Sequence, residues 1–286
     1  AFYLAGMDGL EAAVHAMTTL ATGGYSTSDQ SIGHFDSVAI EVITITGMVA
    51  GGIPFVIYLK ALRGQPGILI SDDQIRTYIA LLLLSTAAAA GWLWRVNGEL
   101  PLTALRHASF AVVSTMTGTG FVSTDYMNWG AFPIGLIFFL TFVGGCAGST
   151  ACGIKVFRFQ ILYQATRSQI QRLWKPHTVI ISHFNGRPIP EEIVASVLSF
   201  FFIFGTAFVL LTLGLNLVGL DFVTAISSSA TALANVGPGL GPIVGPAGTF
   251  QSLPDAAKWL LIIGMLVGRL EVFTVAVLFS GGFWRR

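Results

Sequence analysis

Charge is what this sequence has least of. Asp, Glu, Lys and Arg make up only 10% of its 286 residues and the net charge is +1, where a soluble domain carries roughly 25% charged residues. Such a chain has no basic face for nucleic acid. Cysteine is nearly absent too: Cys146 and Cys152 lie six apart among small residues with no His or third Cys nearby, so they read as packing residues rather than a disulfide or metal pair. There is no nucleotide-cradling glycine motif, no nucleophile beside a base and no zinc pattern. Nothing here reads as an enzyme.

What fills the chain is apolar. Hydrophobic residues reach 53% and mean hydropathy is +0.74. The stretches 38–59, 77–96, 129–143 with its continuation, 193–218 and 256–279 are read as membrane spans, which need about 20 residues. Lys60, Arg63, Arg76, Lys155, Arg158, Arg167, Arg172, Lys175, Arg187, Arg285 and Arg286 fall on one side of these spans; Arg95, Arg106 and Lys258 fall on the other. Positive charge marks the cytoplasmic side, so loops 60–76 and 155–190 and the C-terminus are expected inside. Residues 2–6 read as the last turn of a membrane helix, which makes the chain the expected C-terminal portion of a longer protein.

Three short segments stand out against this background: Thr22, Gly23, Gly24, Tyr25; Gly118, Thr119, Gly120, Phe121; and Asn235, Val236, Gly237, Pro238. Placing Gly24 on Gly120 also aligns Tyr25 with Phe121 and Asp29 with Asp125, and placing Gly24 on Gly237 aligns Asp8 with Asp221. Shared glycines with agreeing flanks indicate an internal repeat. Ahead of each lies a stretch too short to span, 15–21, 107–117 or 224–234, with Asp8, Thr103 and Asp221 as expected N-caps and Pro101 marking one entry turn. The carbonyl ends of these half-helices point to mid-membrane, where they favour a cation. Non-helical backbone at that depth lines a path or is buried in protein. With no carboxylate in any segment, the expected ligands are backbone carbonyls and the expected ion monovalent.

These segments resemble the filter sequences of the Trk/Ktr/HKT superfamily, closest to bacterial TrkH-type potassium uptake subunits. The resemblance covers the whole chain. It implies an all-α polytopic membrane protein of membrane–pore–membrane repeats, with re-entrant pore helices around a pseudo-fourfold axis. Residues 1–60 would be repeat two without most of its first helix, 77–172 repeat three with a broken second helix, and 189–286 repeat four. Without repeat one, these residues alone are not expected to conduct. The implied activity is K⁺ uptake across the bacterial inner membrane, with K⁺ at the twelve residues of the three segments. The three segments differ in sequence, so weak Na⁺ or Rb⁺ passage is expected. The resemblance also implies a homodimer in membrane lipid and a cytoplasmic nucleotide-binding ring of the TrkA type, for which 158–187 is the expected contact.

Glycine recurs in Gly144, Gly145, Cys146, Ala147, Gly148, Ser149, Thr150 and Gly153, and each helical glycine costs about 1 kcal/mol. The residues themselves indicate a mobile interruption of the inner helix. The resemblance makes it the intramembrane gate, and assigns Arg269, in the last span, to the pore just inside the filter. Glu271 lies two residues on and cannot share its helix face. His15, His34 and His107 take different offsets from the glycines and form no ligand set; Glu41 has no assigned role. Trp92, Trp94, Trp129, Trp259 and Trp284 fit an interfacial belt. The alternative class is a secondary transporter coupling K⁺ to H⁺ or Na⁺. Inverted repeats would mark one built that way, whereas all three copies here run the same way.

Overall fold

A computed structural model describes residues 1–175 and 183–270. Glu271, Trp284, Arg285, Arg286 and the far half of the 256–279 stretch lie outside the described residues. Helix α1 (Gly9–Leu20) opens on Asp8, whose carboxylate accepts from the Glu11 amide at 2.8 Å while the Glu11 side chain accepts from the Asp8 amide at 3.2 Å. This reciprocal pairing satisfies two otherwise orphaned donors.

The stretch 38–59, expected as one span, is two helices. α2 (Val38–Gly51) and α3 (Phe55–Leu62) meet at 91°. Pro54 has no N–H to continue the ladder, and the Gly52 carbonyl accepts from Cys146 at 3.0 Å instead. After the short α4 (Ile68–Ser71), α5 (Asp73–Arg95) is capped by Asp72, which accepts from Gln74 and Ile75.

Helix α6 (Pro101–Met116) begins with Pro101 at its first position and Leu100 at its N-cap. Thr103, expected as the cap, lies inside the first turn, because proline's fixed φ and missing N–H suit a helix start. α7 (Ala131–Leu140) and α8 (Val156–Trp174) are separated by an irregular loop. The two-residue strands β1 (His183–Phe184) and β2 (Arg187–Pro188) pair antiparallel as a small hairpin.

The last part comprises α9 (Glu191–Leu217), α10 (Phe222–Ala234), α11 (Gly241–Val244) and α12 (Asp255–Arg269). Asp221 caps α10, accepting from Thr224 at 3.0 Å. The Thr224 side chain and then backbone amides hold the Asp221 carboxyl below its ordinary value.

Among the described residues, α5 and α9 are long and apolar enough to cross a membrane, or three spans if α2 and α3 count as one. Their outer faces expose Leu83, Leu84, Phe202, Leu210 and Leu217, the pattern of helices whose solvent is lipid. Of the half-length helices, α6 and α10 lie inside, while α1 buries only His15 and Thr19. α6 is wedged in a core with Met48, Tyr78, Leu93 and Ile137, and every residue from 227 to 234 of α10 is buried. α12 approaches α10 closely because Gly264 and Gly268 face it: a Cβ on Gly268 would sit 2.0 Å from the Leu233 carbonyl oxygen. Trp129 departs from the expected belt. It is buried, with its carbonyl accepting from the Trp92 indole at 3.0 Å, whereas Trp94 and Trp259 are exposed.

Candidate functional site

The half-helices α1, α6 and α10 each end at a glycine segment, and the structure brings the three segments side by side. In each, the first and third residues have left-handed backbone: Thr22 and Gly24 (φ 48° and 70°), Gly118 and Gly120 (69° and 78°), Asn235 and Gly237 (54° and 120°). The residue between does not. This alternation turns successive carbonyls toward one side, unlike a strand, where they alternate.

Neighbouring segments touch through their backbones. A Cβ on Gly24 would lie 1.8 Å from the Thr119 carbonyl oxygen, and one on Gly120 would lie 1.9 Å from that of Val236. Each glycine therefore leaves room for the carbonyl of the residue preceding the next segment's glycine. Among the described residues, a Cβ on Gly237 would have only Gly120 Cα near it, at 3.7 Å. The fourth residues differ: Tyr25 is exposed, while Phe121 is buried and stacks on His15, ring centroids 5.9 Å apart. His15 is itself satisfied, hydrogen-bonded to the Glu11 carbonyl and to Ser26.

The glycine-rich loop between α7 and α8 runs beneath these segments. Its ends are fastened together, the Gly144 amide donating to Ile154 and the Ile154 amide to Phe142. The Thr150 hydroxyl donates to the Leu20 carbonyl at 2.9 Å, and the Cys152 amide to the Thr117 carbonyl at 3.3 Å. Leu20 and Thr117 stand at the C-terminal ends of α1 and α6, so the loop occupies carbonyls that a helix end leaves without partners. Ala147 and Gly148 reach outward, the first donating to the Gln74 side chain and the second accepting from Phe55. Ser149 turns back on the loop, its hydroxyl donating to the Cys146 carbonyl.

Arg269, at the end of α12, donates to the Cys152 sulfur. It lines a cavity of about 340 Å³ together with loop residues 148–153, Lys155, Arg158, Asn235 and Gly268. The cavity thus lies between the loop, the last helix and the start of the third glycine segment. Both cysteines are free thiols, and no cluster of metal-ligating side chains occurs among the described residues.

A family model described as a cation transport protein, TrkH, matches residues 2–83 and 98–286. The chain belongs to the TrkH family. It is 48% identical over 288 residues to the Trk system potassium uptake protein TrkI of Halomonas elongata, a match covering all of this chain and 58% of that protein. It is 37% identical over 289 residues to TrkH of Vibrio parahaemolyticus, covering 59% of it. The crystal structure of the potassium transporter TrkH from Vibrio parahaemolyticus superposes with a TM-score of 0.93 at 36% identity, over 99% of this chain and 61% of that one. The chain therefore spans about three-fifths of the length of the relatives it matches. Its fold is that of an all-α polytopic membrane protein of the membrane–pore–membrane type.

Sequence reasoning missed several residues at this site. Cys152 read as bland packing, yet it bridges α6 and Arg269. Gly51, Gly52 and Pro54 form the bend that receives the loop, and the Gly-Gly-Ile-Pro order was a visible break signal. Gln74 carried no signal, because its partner Ala147 is 73 residues away.

Proposed function

We propose that the three glycine segments are strands of a K⁺ selectivity filter in a protein that takes up K⁺ across the bacterial inner membrane. In this reading 1–60, 77–172 and 189–286 are successive membrane–pore–membrane units. Three relations support it: the family, relatives named as potassium uptake proteins, and the left-handed alternation repeated in each segment. The observation that carries it is the backbone contact of Gly24 with Thr119 and of Gly120 with Val236. Strands packed this way present carbonyl oxygens to a common line, and such carbonyls replace the hydration shell of K⁺.

The loop from Gly144 to Gly153, with Arg269, is the gate. It lies under the C-terminal ends of two pore helices, where the helix dipoles favour a cation. The loop's own N–H and O–H donors occupy those ends, which places it in competition with the ion. The arginine adds a positive charge on the same route. At ~8 Å and an effective dielectric near 20, repulsion of a monovalent cation is about 2 kcal/mol. The stretches 60–76 and 155–190 face the cytoplasm; the second begins as helix α8 rather than the expected loop, and includes 176–182 outside the described residues. Arg158 is buried at the cavity beside Arg269, so the contact for a nucleotide-binding regulatory ring on a homodimer is left to the exposed remainder of 158–187.

The test is K⁺ and Na⁺ flux through the intact protein in proteoliposomes. Gly120→Ser puts a side chain onto the Val236 carbonyl and is expected to lower K⁺ discrimination over Na⁺. Parental selectivity for serine at Gly24, Gly120 and Gly237 alike overturns the filter reading. A fixed stoichiometry with H⁺ or Na⁺ replaces it with a coupled transporter.

A further inference from the structure

In all three units the residue six places before the filter glycine bears a hydroxyl: Thr18, Ser114 and Thr231. Each sits in the last turns of its pore helix and makes the same backbone contact. Its carbonyl accepts from the residue just before the glycine: Gly23 at 2.8 Å, Thr119 at 3.0 Å and Val236 at 3.1 Å. Each hydroxyl then makes a second contact with the strand. Thr18 donates to the Tyr25 carbonyl at 2.9 Å and Ser114 to the Phe121 carbonyl at 2.6 Å, each just past the glycine. In the third unit Pro238 follows the glycine, and Thr231 instead accepts from the Gly237 amide at 2.7 Å.

A serine or threonine in a helix ordinarily bonds the carbonyl four residues back. Thr18 shares its hydroxyl with that carbonyl, of Val14, also at 2.9 Å. Ser114, 2% exposed, bonds forward to the strand.

We propose that Thr18 and Ser114 are positioning residues that fix the outer edge of the filter, that Thr231 fixes the Gly237 amide, and that all three thereby set its selectivity. The inference rests on the filter reading. A carbonyl that accepts from its own pore helix is turned back toward that helix and away from the axis. The Tyr25 and Phe121 carbonyls are therefore withdrawn from the ion, and the ligand set of those two strands ends at the glycine. Losing the hydroxyl frees a carbonyl to swing into the path. It also loosens the spacing of those below, which is the spacing that separates K⁺ from Na⁺.

The experiment compares Ser114→Ala, Ser114→Thr and Gly120→Ser in the intact protein, with the K⁺/Na⁺ flux ratio and the melting temperature measured on the same preparations. Ser114→Ala is expected to lower the ratio about two- to tenfold, the range set by the net worth of one hydrogen bond. Ser114→Thr, which keeps the hydroxyl, is expected to restore it. An unchanged ratio in Ser114→Ala beside an altered one in Gly120→Ser overturns the positioning proposal and leaves the filter standing; no change in either removes both. If Ser114→Ala does not fold, Thr18→Val at its half-buried position decides the question by the same ratio, a parental value overturning the proposal.

Discussion

Thr22 holds a φ of 48°, a conformation that a β-branched residue rarely adopts. Gly118 and Asn235 occupy the same place in the other two units, and glycine and asparagine accept that geometry readily. The strain at Thr22 costs on the order of 1–3 kcal/mol, against about 0.5–1 kcal/mol of extra chain entropy lost by a glycine there. Thr22→Gly relieves this strain but also removes a side chain only 2% exposed, so the melting temperature is expected to stay close to the parent's; a large fall refutes the strain argument. The alignment of the three glycines was legible because the glycine pattern is local. Why Gly118 is glycine was not. A Cβ there would lie 2.7 Å from Cys152 Cβ, a contact made by a loop more than thirty residues away in sequence.

At the scale of elements, the interruption between α7 and α8 was visible as glycine, while the 91° break between α2 and α3 was read through as one apolar span. The two are one feature in space. The bend exposes the Gly51 and Gly52 carbonyls, and the loop's Thr150 and Cys146 amides take them at 3.2 and 3.0 Å. Hydropathy alone does not show such pairing. The first turn of α5 is the loop's other support, and it is crowded. Gln74 accepts from Ala147 at 2.9 Å, Gln160 of α8 donates to the Asp73 carbonyl and to Thr77, and Asn185 of the hairpin bonds both Asp72 and Asp73. Gln74→Leu removes the loop's acceptor and leaves the filter untouched. It is expected to shift the open-to-closed ratio in single-channel recordings toward open by about two- to tenfold, the net worth of one hydrogen bond. The K⁺/Na⁺ ratio stays parental. A change in selectivity with constant open probability contradicts the gate.

For the whole molecule, the sidedness of basic residues gives an expected topology and the glycine offsets an expected order of units. The angle between units was not legible, because it is fixed by contacts across them. Besides the glycine-segment backbones, one such contact lies at the opposite end of α6: Glu41 of α2, 8% exposed in its side chain, meets Arg106 of α6 at 3.4 Å. Arg106 also contacts His107, and His107 contacts Glu99. Sequence reading gave Glu41 no role, since nothing within a helical turn marks its partner. Breaking a fully buried pair costs about 3–5 kcal/mol. With the Arg106 side chain 26% exposed and the contact an ion pair without a hydrogen bond, solvent screens much of this, and the loss for Glu41→Gln is expected to be about 1 kcal/mol. The melting temperature falls accordingly. In a double-mutant cycle, Glu41→Gln with Arg106→Gln is expected to cost clearly less than the two single losses added together, because the second change removes a charge already without its partner. Strictly additive losses would mean that the two side chains are adjacent without holding the units together.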